Sequence, residues 1–135
     1  MTNINHRKID PGSERGQAMT EFALALPILA LLLFAVIQFG IVFNNYVTLT
    51  DATRAGARKA AVSRQDPNHD SVVMSAVRSS ATGLDSSKLS VPPPTSTWDP
   101  GSDVTVTATY PYSISLLGLV VKSGRLSSTT TERVE

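Results

Sequence analysis

A chain of 135 residues, 41% apolar and with a formal net charge of +1, has room for one domain, or for one domain and an appendage. The absence of cysteine excludes disulfides, thiol catalysis and cysteine-linked lipids. Nine Lys/Arg stand against eight Asp/Glu from Asn44 onward, so no basic surplus points to nucleic acid as a partner.

The first sixteen residues, MTNINHRKIDPGSERG, contain no apolar core. Arg7, Lys8 and Arg15 are interspersed with Asp10 and Glu14, and Pro11-Gly12 is a turn or breaker pair. Residues 22–43, FALALPILALLLFAVIQFGIVF, then run for 22 positions without a charge. As a helix they would reach ~33 Å, enough to cross the hydrocarbon core of a bilayer. A buried helix of a soluble protein is normally shorter and keeps a polar face. Residues 22–43 are therefore a predicted membrane span, with lipid as its surroundings. Pro27 falls inside it, where the missing N–H and the ring predict a kink. Gln38 lies near one edge, where an interfacial position explains it as well as an interhelical contact would.

An ordinary secretory signal would follow its apolar stretch closely with a small-x-small cleavage site. The nearest such triplet is Ala55-Gly56-Ala57, more than ten residues beyond the span. The polar leader ends in another pattern: Gly16, four residues, then Glu21 and Phe22 at the lip of the apolar run. A charge at mid-bilayer costs ~3 kcal/mol, and such residues are usually functional or paired. Glu21 would also lie near the positive end of the helix dipole, which favours an anion. On residue type alone, Glu21 could equally rest in the headgroup layer.

The spacing of Gly16, Glu21 and Phe22 ahead of an apolar helix resembles the cleavage motif of prepilins, the precursors of type IV pilus subunits. Residues 15–62, RGQAMTEFALALPILALLLFAVIQFGIVFNNYVTLTDATRAGARKAAV, are similar to the signature of TadE-like proteins, the pseudopilins of Tad (tight adherence) pilus systems. The resemblance implies that a membrane prepilin peptidase on the cytoplasmic side cuts after Gly16, leaving Gln17 as the first residue. The new α-amine, with an ordinary pKa near ~8, would be largely cationic at neutral pH. Gln17 and Glu21 are four apart and share one helix face. The resemblance implies that Glu21 pairs with the amine of a neighbouring subunit, with Gln17 and Phe22 at the same contact. The other implied partners are related pseudopilins and pilins and the membrane platform of the Tad secretion machine. Three basic residues before the span and two soon after it lean toward a cytoplasmic N-terminus, and the cleavage motif carries that orientation further.

Residues 44–63 have no proline and many alanines, with Tyr46, Val47, Leu49, Ala52 and Ala60 at helical spacings, so the helix is expected to continue beyond the span. Ala52, Gly56 and Ala60 recur every four residues, a small-residue stripe that lets another backbone approach. Packing against the protein's own domain and packing against another subunit fit it equally well. The helix over residues 17–62 would be ~70 Å long.

QDPNHD at residues 65–70 reads as the stop. Asp66, Asn68 and Asp70 mimic the opening of a calcium loop, but Ser71 stands where that loop needs glycine and Val77 where it needs an acid. A turn and cap is the reading, with Asp70 or Ser71 as N-cap, a helix over about residues 72–82 and Gly83 as C-cap. Residues 85–102, with Pro92-Pro93-Pro94 and Pro100-Gly101, form a loop anchored by Trp98. Residues 103–112 alternate, placing Val104, Val106, Ala108 and Tyr110 on one face and threonines on the other, as a half-buried strand does. ISLLGLVV at residues 114–121 reads as a buried helix or a second strand. Residues 126–134 can pair antiparallel with the first strand.

The expected fold is α+β: a long N-terminal membrane and stalk helix, pilin-like, then a small exported domain with a short helix and a small antiparallel sheet. The expected organisation is a leader over residues 1–16, a helix over 17–63 with span 22–43 and amphipathic extension 44–63, and a domain over 64–135. His6 and His69 belong to no metal-ligand spacing, and there is no phosphate-cradling loop or nucleophile elbow, so neither metal, cofactor nor enzyme activity is expected. The expected role is assembly of a Tad-type adhesive pilus by helix packing, at the cell membrane with the C-terminal domain outside. The rival reading is a single-pass anchored extracytoplasmic structural protein, never cut at Gly16.

Overall fold

The computed structural model describes residues 11–116 and 118–135; expectations for the earlier leader residues, among them His6, Arg7 and Lys8, lie outside these. Four elements follow in order: helix α1 (Pro11–Ala61), helix α2 (His69–Ser80), strand β1 (Asp103–Leu116) and strand β2 (Leu119–Arg133). This is the expected α+β class. The described residues divide into two compact units, one up to Val36 and one from Ile37 to Glu135, and α1 contributes chain to both.

Helix α1 begins six residues before Gln17, at Pro11 itself. The Pro11-Gly12 pair therefore opens a helix where a breaker was expected. Proline suits a first helical position, because its missing N–H has no intrahelical acceptor there. The helix runs through Pro27 without a break in its assignment.

In the first unit, the described residues from Glu14 onward are almost all exposed, large apolar side chains included: Met19, Phe22, Leu24, Ile28 and Leu32 are each at least 60% accessible. In the second unit Ile37, Phe39, Ile41 and Phe43 are exposed as well.

The core of the second unit forms where the end of α1 meets α2 and one face of the sheet. Leu49, Ala52, Ala57 and Ala60 from α1 are fully buried, as are Val73 and Val77 from α2 and Val104 and Ala108 from β1. Helix α2 opens three residues before the expected start, with Asn68 as N-cap and Asp70 in its first turn. Its C-cap is Ala81, whose N–H donates to the Val77 carbonyl, and Gly83 follows with φ of 89°.

The strands form a two-stranded antiparallel hairpin in which Tyr110 faces Leu126 and Ala108 faces Ser128. Val104, Val106, Ala108 and Tyr110 are buried, as the alternation required. On the opposite face Thr105 meets Thr131 and Thr107 meets Thr129, hydroxyl to hydroxyl, at 3.0 and 3.1 Å. Residues 114–116 carry β1 to its end and residues 119–121, after Gly118 (φ 84°), start β2, so the second-strand alternative holds and the buried helix does not; Leu119, Val120 and Val121 are 63–75% exposed.

The proline-rich loop covers the free edge of β1. Ser90 and Thr109 exchange two backbone hydrogen bonds, as do Thr95 and Thr105, all 2.9–3.0 Å. Between those bridges Pro92, Pro93 and Pro94 have no N–H to donate, so the ladder skips and no continuous third strand forms. An edge blocked in this way is a poor template for pairing with another chain. The loop closes with Asp99-Pro100-Gly101-Ser102, where the Ser102 N–H donates to the Asp99 carbonyl at 3.0 Å and Gly101 has φ of 81°. That is a type II turn, with proline and glycine at the positions that need them.

Candidate functional site: the exposed face of helix α1

Gly16, Gln17, Glu21 and Phe22 all lie on exposed, uninterrupted helix. Gln17 Nε2 donates to Glu21 Oε1 at 3.0 Å, so the two side chains meet on one face. Thr20 Oγ1 donates back to the Gly16 carbonyl at 3.0 Å. Nothing lies within 4 Å of where a Gly16 Cβ would be, so packing does not demand glycine there. The glycine acts through the backbone: a helical glycine is ~1 kcal/mol less favourable than alanine. A helix is easiest to open locally at such a residue.

Further along α1, Ala52 and Ala60 are fully buried and Gly56 is buried between two other elements. A Cβ on Gly56 would collide with the Val77 side chain of α2 and meet Val106 Cγ1 of β1 at 3.4 Å. The stripe thus lies under this protein's own α2 and sheet. The buried face is wider than the stripe, because Leu49, Thr53 and Ala57 belong to it. Thr53 escaped notice as a polar residue in an alanine-rich run. Its hydroxyl sits 2.8 Å from Ser128 Oγ and also bonds the Leu49 and Thr50 carbonyls at 3.1 and 2.8 Å. The signal was its place between Leu49 and Ala57 at four-residue intervals.

The remaining polar groups serve the loops. Asp66 Oδ1 accepts from the Asn68 N–H at 2.9 Å, a local Asx turn, and no cluster of three metal-ligating side chains occurs among the described residues. Trp98 takes a left-handed backbone conformation (φ 60°) and packs against the core, its ring 4.0 Å from the His69 ring centroid and tilted by 44°. Asp85 has its carboxyl held below the usual aspartate range, first by the Ser87 hydroxyl and then by the Ser87 N–H, at 2.6 and 3.0 Å.

Helix α1 exposes an apolar surface with Glu21 at its lip, and in the second unit its end is packed into a small core. The family of TadE-like proteins matches residues 16–58. This segment is TadE-like. The match opens at Gly16 and covers Glu21, the apolar run, Ala52 and Gly56, in agreement with the resemblance in the sequence. The match spans about a third of the chain. The TadE-like helix is long and apolar enough to cross a membrane, and none of its most apolar window is buried, which suggests a single-pass anchor. No curated protein and no solved structure matches the chain.

Proposed function

We propose that the chain is a membrane-anchored pseudopilin that takes part in assembling a Tad-type adhesive pilus, after a prepilin peptidase removes residues 1–16. The observation that carries the reading is the TadE-like match that begins at Gly16. In the mature subunit Gln17 supplies the cationic amino terminus. Glu21, one turn further on and exposed on the helix surface, pairs with the amine of a neighbouring subunit and sets its axial register. Phe22 and the apolar side chains after it pack between neighbouring helices, and Pro27 bends the axis so that they can follow one another. The leader is cytoplasmic, residues 22–43 lie in the membrane, and residues 64–135 form the exported domain. The partners are the peptidase, related pseudopilins and pilins, and the membrane platform of the Tad machine.

Two observations support action by packing. Helix α1 leaves most of its apolar surface exposed over residues 22–43, and the small-residue face beyond it is already filled by the protein's own domain. The surface left for neighbouring subunits is then the apolar, Glu21-bearing part. The test is Glu21→Ala beside Glu21→Gln in a piliated host. Loss of the charge pair lowers assembled pili by about tenfold or more, tenfold being the equivalent of ~1.4 kcal/mol. Membrane levels of the subunit stay unchanged in both variants. Normal piliation with Glu21→Ala removes the pairing role.

A further inference from the structure

The β1–β2 hairpin outruns the core that supports its other half. Tyr110 is the last strongly buried residue of β1, and beyond it the chain continues to an uncovered tip where Leu119, Val120 and Val121 are 75%, 65% and 63% exposed. Three large aliphatic side chains at the point of a hairpin require a cover.

Two contacts fix how the hairpin descends beside α1. The Glu135 N–H donates to the Ala61 carbonyl at 2.9 Å, and Ser128 Oγ lies 2.8 Å from Thr53 Oγ1. Between these anchors near-extended chain advances ~23 Å while the helix advances ~12 Å, so the strand drops along the helix axis by about half its own length. At the same inclination, the ten residues from Ser128 down to Gly118 (~33 Å of strand) drop ~17 Å, or about eleven helical residues below Thr53. The tip therefore reaches the level of Ile41 and Val42, the last turn of the charge-free run that ends at Phe43.

The residues just above the tip suit a membrane surface. Tyr112 lies over Gly124, where an added Cβ would come within 3.1 Å of two ring carbons and the hydroxyl of Tyr112, and Lys122 is exposed on the facing strand. Aromatic rings with a polar edge and snorkelling lysines are the residues enriched at headgroup depth. Tyr46, 43% exposed on α1, stands at a matching height one turn beyond Phe43.

We propose that the hairpin tip, residues 119–121, inserts into the bilayer surface from which α1 emerges at Phe43, as a second lipid contact beside the span. This rests on the membrane-anchored state proposed above. It adds that the small domain sits down on the membrane and is held at one height and rotation before it enters any assembly.

The full chain reconstituted in phosphatidylcholine–phosphatidylglycerol vesicles tests the inference. The natural sequence has no cysteine, so Val120→Cys and, as a control, Ser127→Cys can each carry a single environment-sensitive fluorophore. Both positions are exposed, and neither substitution disturbs the core. The probe at position 120 shifts to the blue, is quenched by a spin label placed high on the lipid acyl chain, and loses its accessibility to aqueous iodide; the probe at 127 does none of these. A position-120 probe as wet as the control, on a chain that resists alkaline carbonate extraction, overturns the inference and leaves the anchor standing. A blue shift that vanishes on dilution with excess lipid assigns the tip to a second copy of the chain and also overturns it. Release of the whole chain by carbonate sinks both the inference and the anchor.

Discussion

At Gly56 two opposing effects can be weighed directly. Replacing a helical glycine with alanine ordinarily gains up to ~1 kcal/mol. Here the new methyl would collide with Val77, a buried β-branched side chain that is stiff at χ1, and inserting a methyl into a filled core typically costs about 1–3 kcal/mol. The clash outweighs the propensity, so Gly56→Ala is expected to destabilise the domain by about 1–2 kcal/mol, read as a lower denaturation midpoint. An unchanged or raised midpoint would mean that α2 can move aside at no cost. Gly16 is the opposite case, with nothing within 4 Å of its Cβ position. The spacing of glycines in the sequence singled out both, but only packing tells them apart. Periodicity gives the helix face, and it left open whether the stripe's neighbour was the same chain or another.

Thr53 joins helix α1 to the hairpin by a buried polar contact with Ser128, and Thr130 Oγ1 donates to the same Thr53 oxygen at a longer 3.5 Å. Thr53 Oγ1 reaches Ser128 Oγ at 2.8 Å, and Ser128 is only 7% exposed. Thr53→Val keeps the shape but strands the Ser128 hydroxyl, and leaving a buried polar group unpaired costs about 1–3 kcal/mol. Thr53→Val combined with Ser128→Ala removes both partners and is expected to recover much of that loss, as a double-mutant cycle in thermal unfolding would register. Equal losses that simply add would show the contact to be idle. At this scale the strand over residues 103–112 was legible because alternation has a period of two and one face is buried. For residues 114–121 the strand alternative held and the buried helix did not, because apolar composition does not distinguish a core from an uncovered tip. The edge contacts of residues 90–95 were hidden because two isolated bridges around three prolines leave no periodic trace.

For the molecule as a whole, the division between an apolar helix and a small polar domain was legible from charge placement alone. Residues 22–43 hold no charge, and residues 44–135 hold seventeen charged side chains. The TadE-like match covers the half of that division with the stronger pattern, and the domain beyond residue 58 rests on its own physics. An apolar helix with no cover, a carboxylate at its beginning and a glycine five residues before it form a set whose parts have little use apart. In the proposed function the glycine would be the place to cut, the cut would supply a cation, and the carboxylate would receive one from a neighbour. Mass spectrometry of the protein purified from membranes of its native host tests that chain of consequences most directly. The account predicts a mature N-terminus at Gln17; a protein that still begins at Met1 or Thr2 would contradict it.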